Sequence, residues 1–214
     1  MLSSFFKNTH RFLARPLGFW SRLLLIIGAF CLVATFFFPL WQIHLVAPQY
    51  PKGLDLDIYS YKLVGGRDGA DLAEINILNH YIGMAQIHEA DFVEMRWIPF
   101  VLGLFILLSF RAAVFGRMGN VVDVLTLFLY FGLFSMINFY YRLYSFGTDL
   151  DPMAPMKTEP FVPVIIGSQK IANFTQYSYP HVSSYLLGAF ALCVILAMFV
   201  SRKMEFIFLK PRNS

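Results

Sequence analysis

Residues 97–141 decide the fold, and they read WIPFVLGLFILLSFRAAVF, then GRMGN, then VVDVLTLFLYFGLFSMINFYY. Two apolar runs of 19 and 21 residues thus flank a short basic turn. A helix needs about 20 predominantly apolar residues to cross a hydrocarbon core of about 30 Å. This stretch therefore predicts two transmembrane helices, residues 97–115 and 121–141, joined by a cytoplasmic turn at residues 116–120.

Two further apolar runs lie towards the ends of the chain. Residues 19–41 follow a basic arm and end in a bulky aromatic stretch that closes with Trp41. Such an ending is typical of a membrane interface and not of a signal-peptide cleavage site. Residues 182–200 are apolar and precede a basic tail. We therefore predict an all-α membrane protein with four transmembrane helices and two ordered extracytoplasmic loops.

The overall composition agrees with this class. Of the 214 residues, 57% are hydrophobic and 14% are charged, whereas soluble domains have about 45–50% and about 25%. The basic residues flank the apolar runs and are not interleaved with aromatic residues, which argues against a nucleic-acid partner. Cys31 and Cys193 both lie inside apolar runs, so the sequence offers neither a disulfide framework nor a CxxC metal site. Membrane lipid is the expected surrounding.

The charge distribution predicts the orientation. Ten basic and two acidic residues lie on the side of the N-terminal arm (residues 1–18), the turn and the C-terminal tail (residues 201–214), when Arg22, Arg111 and Asp123 near the adjoining ends of the spans are included, a net charge of +8. Seven basic and eleven acidic residues lie in the long loops, residues 42–96 and 142–181, a net charge of −4. Because basic residues are enriched in cytoplasmic segments, we predict a multi-pass protein of the bacterial inner membrane with both termini cytoplasmic. Both loops are then periplasmic.

The first long loop has patterns that predict a folded segment. Alternation in residues 54–64 indicates a strand or a hairpin arm, and the glycine-rich residues 65–69 indicate a turn. Asp71 can cap a helix that runs to about Ile82, and Gly83 can end that helix in a left-handed conformation. We therefore expect a short helix and a hairpin in this loop.

The second long loop is rich in proline. Prolines recur every few residues from Pro152 to Pro163, which favours extended or polyproline structure lying across a surface. The triplet Asn173-Phe174-Thr175 formally matches a glycosylation acceptor, but we interpret it as a turn.

A candidate copper site lies in the first loop. His80, Met84 and His88 are spaced by four residues, and imidazole together with thioether is a donor set that suits Cu(I). On a continuous helix the three side chains would share one face, although Gly83 interrupts the helix. The alternative is that His80 and the two asparagines of the helix hydrogen-bond the loop into a fixed shape. Both interpretations stay open.

Other kinds of site have weaker support. His44 and His181 lie at the outer ends of the first and fourth predicted spans, where they would have to meet to form a haem or quinol site. A membrane haem ordinarily needs axial histidines within the helices, and no histidine lies in mid-span. The sequence also contains no HExxH, GxSxG or Walker motif. We predict no catalytic residues.

Four loop motifs resemble those of a little-characterised family of bacterial multi-pass membrane proteins. The motifs are YPxGL at residues 50–54, DLxEINxLNHYIGM at residues 71–84, LDPxAPxK at residues 150–157 and IANF at residues 171–174. The resemblance covers both loops and implies an association with copper-dependent respiratory or oxidase systems, such as the maturation of nitrous oxide reductase. It transfers no ligand assignment to individual residues.

These observations lead to one functional expectation and two alternatives. We expect an integral membrane accessory factor, or a small subunit, of a larger copper- or haem-containing enzyme complex that docks its partner through the outer loops. The first alternative is a purely structural transmembrane subunit without metal. An intrinsic enzyme or a transporter is the least favoured class, because the spans contain few polar residues near the midplane.

Overall fold

The described part of the chain is mostly helical and also contains a five-stranded β-sheet. The computed structural model describes residues 9–208, with side chains through residue 201. The longer helices are α1 (Phe19–Ala34), α2 (Ala70–Ile82), α3 (Glu94–Phe115), α4 (Met118–Thr148) and α5 (Val182–Phe208). The strands are β1 (Trp41–Ala47), β2 (Tyr50–Ile58), β3 (Leu63–Gly65), β4 (Gly167–Ile171) and β5 (Phe174–Pro180).

Three helices, α3, α4 and α5, are long and apolar enough to cross a membrane, judged by length and composition. They coincide with the second, third and fourth predicted spans, although α4 continues seven residues past the predicted end at residue 141. The first predicted span, residues 19–41, is helical only in the 16 residues of α1. Turns follow α1, and Trp41 already belongs to a strand. The count of four spans is therefore not confirmed.

The sheet is the main correction to the all-α prediction. Its five strands are antiparallel in the order β3-β2-β1-β5-β4. The sequence predicts a strand or hairpin arm over residues 54–64 and a turn at residues 65–69, but the chain already turns between β2 and β3, inside that predicted arm. β1 and the β4–β5 hairpin are not predicted from the sequence. Trp41, the first residue of β1, ends the first predicted span, and the other six residues fall in the predicted loop, where no strand is predicted. β4 and β5 follow a proline-rich stretch, but no proline lies between Pro163 and Pro180, which leaves this segment free to pair.

One of the two compact units of the chain is helical. This helical unit contains Met1–Ala34, Phe100–Gly132 and Leu186–Ser214. In it, the Ser21 hydroxyl donates a hydrogen bond of 2.8 Å to the carbonyl oxygen of Ala197, which joins α1 to α5. Further along α1, Gly28 lies directly against the ring of Phe190. Small residues of α1 thus allow α5 to approach closely, as is common between membrane helices.

The turn between α3 and α4 is held by the segment that precedes α1. Pro16 and Arg117 form an antiparallel bridge. The Arg22 guanidinium donates a hydrogen bond of 3.2 Å to the carbonyl oxygen of Val114, in the last turn of α3. A cation is favourable there because the last carbonyls of a helix lack partners and carry partial negative charge. Arg22 therefore also stabilises the end of α3.

The second compact unit, the sheet unit, contains Thr35–Pro99 and Leu133–Tyr185. β1 comes from the first long loop and β5 from the second, and their pairing joins the two loops into one sheet. The core of the unit packs α2 against one face of the sheet. Its buried side chains are Leu45, Ala47, Leu54, Leu56, Leu63, Ile75, Leu78, Ile82, Met95, Ile171 and Phe174.

The predicted loop helix is present, but it begins differently from the prediction. α2 ends at Ile82, and Gly83 follows with φ +83°, as expected. The residue before α2 is Gly69, and no side chain caps the helix. The Asp71 carboxylate instead accepts hydrogen bonds from the backbone N–H of Asp55 and from the Arg67 guanidinium. Asp71 therefore links the helix to β2.

Candidate functional site

The sheet presents one polar face. Side chains alternate between the faces of a strand, and directly paired residues share a face. The strand register therefore places two residues from each of β1, β2 and β5 together on the side away from α2. We call this surface the polar sheet face; its residues are Gln42, His44, Asp55, Asp57, Tyr177 and Tyr179.

A hydrogen bond between His44 and Asp55 fixes one end of this face. His44 Nδ1 lies 2.7 Å from Asp55 Oδ1, and the two side chains are 34% and 44% exposed. The imidazole ring rests on Gly53, where a Cβ atom would overlap it. Gly53 also has φ +85°, which favours glycine. The backbone of β2 thus makes room for a histidine whose other ring nitrogen, Nε2, is not used in this pair.

Asp57 lies at the other end of the face and has an unsatisfied oxygen. Burial raises the pKa of the Asp57 carboxyl, while the charge of His181 and a hydrogen bond to Gln42 act in the opposite direction. Asp57 Oδ1 and His181 Nδ1 are both buried, and neither atom has a hydrogen-bond partner among the described residues. A buried unpaired acceptor costs about 1–3 kcal/mol.

Two exposed aromatic rings complete the polar sheet face. Tyr177 is 37% exposed and Tyr179 is 49% exposed, and the Tyr177 ring lies beside His44 with centroids 6.1 Å apart. Carboxylates accept charge-assisted hydrogen bonds from Lys and Arg, and tyrosine rings attract the same cations. The arrangement therefore suits the binding of a basic, hydrogen-bond-donating segment.

Sequence reasoning missed this face. It did not single out the two aspartates or the two tyrosines as functional residues. The signal is present, however, as the alternating triplets Asp55-Leu56-Asp57 and Tyr177-Ser178-Tyr179. Each triplet puts two polar or aromatic side chains on one face of a strand. Only the pairing of β1 with both neighbours brings the triplets together.

The three residues of the predicted copper site do not lie on one helix. His80 is exposed in the last turn of α2, and the helix ends before Met84. Met84 is half-buried and packs against the core of the sheet unit. His88 is exposed in extended backbone with φ −117° and ψ 132°. The spacing of four residues therefore does not give these side chains a common helix face.

Two asparagines of α2 hydrogen-bond the segment that follows the helix, which is the role that the alternative to a copper site gives them. The Asn76 side chain accepts a hydrogen bond of 2.7 Å from the Ile87 N–H and donates one of 3.1 Å to the Ile87 carbonyl oxygen. The Asn79 side chain donates a longer one, 3.4 Å, to the carbonyl oxygen of Ala85. His80, in contrast, is exposed to solvent. The asparagines thus fix the loop.

Copper binding at His80, Met84 and His88 stays a prediction. In the part of the chain with described side chains, no three histidine, cysteine, aspartate or glutamate residues are grouped so that they could hold a metal ion. If the prediction is correct, purified protein takes up about one copper ion, and the double variant His80→Ala/His88→Ala loses it. His44→Ala is the control and should retain the metal. Equal uptake by the double variant and the wild type would remove the assignment.

The other histidine pair is separated along the sheet. His44 pairs with Tyr177, which lies four residues before His181. At about 3.3 Å per residue this is a backbone separation of roughly 13 Å. The paired residues Gln42 and Tyr179 lie between His44 and His181 on the sheet. The two imidazoles therefore do not contact each other directly.

Comparison with known proteins gives no family assignment. No family model, no curated protein and no solved structure matches the chain. The resemblance of the four loop motifs to a bacterial membrane protein family therefore stays a prediction.

Proposed function

We propose that the chain is an accessory factor or small subunit of a larger copper- or haem-containing enzyme complex in a bacterial inner membrane, and that the polar sheet face docks its partner. The pairing of β1 with β5 carries this proposal. It joins two loops, separated by the membrane-length helices α3 and α4, into one sheet.

The same pairing supports the proposed orientation. Two loops that share a sheet lie on the same side of the membrane, which agrees with two crossings by α3 and α4. The loops carry a net charge of −4, and the segments at the opposite ends of the helices carry +8. By the positive-inside rule, the sheet unit is extracytoplasmic and the C-terminal tail is cytoplasmic.

Contacts along α5 support a fourth crossing by the first apolar segment. The 16 residues of α1 span only about 24 Å at about 1.5 Å per residue. The chain follows α5 beyond both ends of α1, however. The Ser201 hydroxyl donates to the carbonyl oxygen of Pro16, and the Ser183 hydroxyl donates to that of Thr35. A segment that accompanies α5 from Ser201 to Ser183 covers nearly the whole fourth predicted span, which favours a cytoplasmic N-terminus.

The chemistry of the polar sheet face indicates what it docks. It offers the carboxylates of Asp55, which is 44% exposed, and of the half-buried Asp57, together with two exposed tyrosine rings. A partner segment that carries Lys or Arg would bind the carboxylates and stack on the rings. The alternative, a purely structural subunit, would make its contacts through the helices and leave this face in water.

Cysteine labelling in intact cells tests docking and orientation together. Tyr179 lies on the polar sheet face, whereas Tyr81 is 46% exposed on α2 in the same unit and is the matched control. We expect a membrane-impermeant maleimide to label Tyr81→Cys in cells with a permeable outer membrane. We expect Tyr179→Cys to react only after the complex is dissociated in detergent. The wild-type chain, with Cys31 and Cys193 in apolar segments, is the blank.

The outcomes separate the two parts of the proposal. Equal labelling of both variants in intact cells would contradict docking at the polar sheet face and leave the orientation standing. Labelling of Tyr81→Cys only after the inner membrane is broken would place the sheet unit in the cytoplasm and would contradict the orientation.

A further inference from the structure

A groove in the helical unit combines charged and apolar residues. It lies along α3 and α4 and has a volume of about 370 Å³, within the range of about 300–1,000 Å³ typical of ligand sites. Four of its residues are polar or charged and three are apolar. The lining residues are Leu108, Arg111, Asn120, Asp123, Val124, Thr126 and Leu127.

The two charged side chains in this groove do not form an ion pair with each other. Arg111 and Asp123 line the same groove, but neither has an ion-pair partner among the described residues. The Arg111 guanidinium lies over the Phe115 ring, 5.7 Å from its centroid, which leaves its N–H donors available. Both side chains are exposed. The groove therefore offers one cation and one anion to a ligand.

The groove also lies near the ends of α3 and α4 that adjoin the turn, where lipid headgroups are expected. Arg111 is four residues from the end of α3, and Asp123 is in the second turn of α4. Both helices are membrane-length and apolar. Further from the turn, α3 exposes Leu104 and Leu107, which suit contact with hydrocarbon. Polar residues next to exposed apolar residues suit a ligand that has a polar headgroup and a hydrocarbon chain.

We propose that this groove binds a zwitterionic aminophospholipid. The phosphate lies at Arg111, where a guanidinium can donate two parallel hydrogen bonds. The primary ammonium lies at Asp123, and the amide of Asn120 and the hydroxyl of Thr126 complete the headgroup site. An acyl chain follows Leu108 and Leu127. The proposal rests on the membrane placement of α3 and α4 and is independent of docking by the sheet unit.

Phosphatidylethanolamine differs from phosphatidylglycerol by the positive charge of its ammonium group, and from phosphatidylcholine by the N–H donors of that group. Phosphatidylglycerol has the phosphate but no ammonium to pair with Asp123. Phosphatidylcholine has a quaternary ammonium that carries no N–H donor. Because the hydrogen bond to Asp123 is charge-assisted, its loss weakens binding about tenfold or more. We therefore expect a preference for phosphatidylethanolamine.

Native mass spectrometry of the purified, delipidated full chain measures this preference. The three phospholipids are added with identical acyl chains. We expect Asp123→Asn to bind phosphatidylethanolamine about tenfold more weakly and to bind phosphatidylglycerol at least as tightly as the wild type does. Arg111→Gln should weaken both. Arg117→Gln, a basic residue of the same turn that does not line the groove, is the matched control and should change neither.

Two results would overturn the inference. One is equal binding of phosphatidylethanolamine and phosphatidylglycerol by the wild-type chain, and the other is an unchanged ratio in Asp123→Asn. Either result leaves the labelling of Tyr81→Cys and Tyr179→Cys unaffected, because those residues belong to the sheet unit. The failure of this inference is thereby distinguished from the failure of docking.

Discussion

Replacing Asp71 by asparagine is expected to lower the free energy of unfolding by about 2 to 3 kcal/mol and the melting temperature by roughly 5–10 °C. The Asp71 side chain is almost fully buried, and its carboxylate accepts two hydrogen bonds. An amide has only one acceptor oxygen, so its NH2 group must face at least one of the two donors. Thermal unfolding of the full chain in mild detergent measures the change.

Most of this loss comes from the backbone and not from the ion pair. The Arg67 side chain is 58% exposed, so solvent screens its attraction to Asp71. The N–H of Asp55, in contrast, donates to the carboxylate at 2.9 Å from within the sheet. Asp71 also compensates for a strained turn, because Arg67 and Asp68 both have positive φ, at about 1–2 kcal/mol each. One carboxylate thus ties together β2, the turn and α2.

Asp68→Asn is the matched control for Asp71→Asn. Asp68 is exposed in the same turn, and asparagine tolerates its left-handed backbone. The same chemical change there should alter the free energy of unfolding by less than about 0.5 kcal/mol. If the two variants lost equal stability, Asp71 would not be the link between the helix and the sheet.

The membrane helices follow from the sequence because their signal is local. A run of about 20 apolar residues predicts a span without knowledge of its neighbours. The end of α2 is equally local, since Gly83 favours the left-handed conformation that ends a helix. Asp71 shows the limit of such rules. A carboxylate at the start of a helix predicts a cap that accepts a hydrogen bond from the N–H groups of its own helix. The Asp71 carboxylate instead accepts one from the N–H of Asp55, 16 residues earlier in the chain.

The polar sheet face could not be predicted because it depends on pairing between distant segments. His44 and Asp55 are 11 residues apart, but Tyr177 is brought to them only by the pairing of β1 with β5. Strand β1 is likewise not predicted, because Trp41 ends the first predicted span and residues 42–47 fall in the predicted loop. For the predicted copper residues, a local pattern suggests a contact that the structure does not contain. Their spacing of four residues implies a shared helix face, but the helix ends at Ile82, before Met84 and His88.

Replacing Gly28 by leucine is expected to cost about 3 kcal/mol of stability in the helical unit. A Cβ atom at this position would lie 3.1 Å from the Phe190 ring and 3.3 Å from the Cβ of Cys193. Phe190 cannot move away easily, because it is fully buried and its centroid lies 4.8 Å from that of Phe128. The larger side chain therefore separates α1 from α5. Gly188→Leu is the control, since a Cβ there meets nothing within 4 Å.

A second substitution distinguishes this steric effect from a general loss of helix packing. Phe190→Leu removes the ring that Gly28 accommodates, so it leaves a cavity when introduced alone and makes room when combined with Gly28→Leu. The free energies of the two single variants should therefore not add, and the double variant should be more stable than their sum by about 1–2 kcal/mol. Thermal unfolding in mild detergent provides all four values. Additive losses would mean that the close approach of α1 and α5 does not depend on the contact between Gly28 and Phe190.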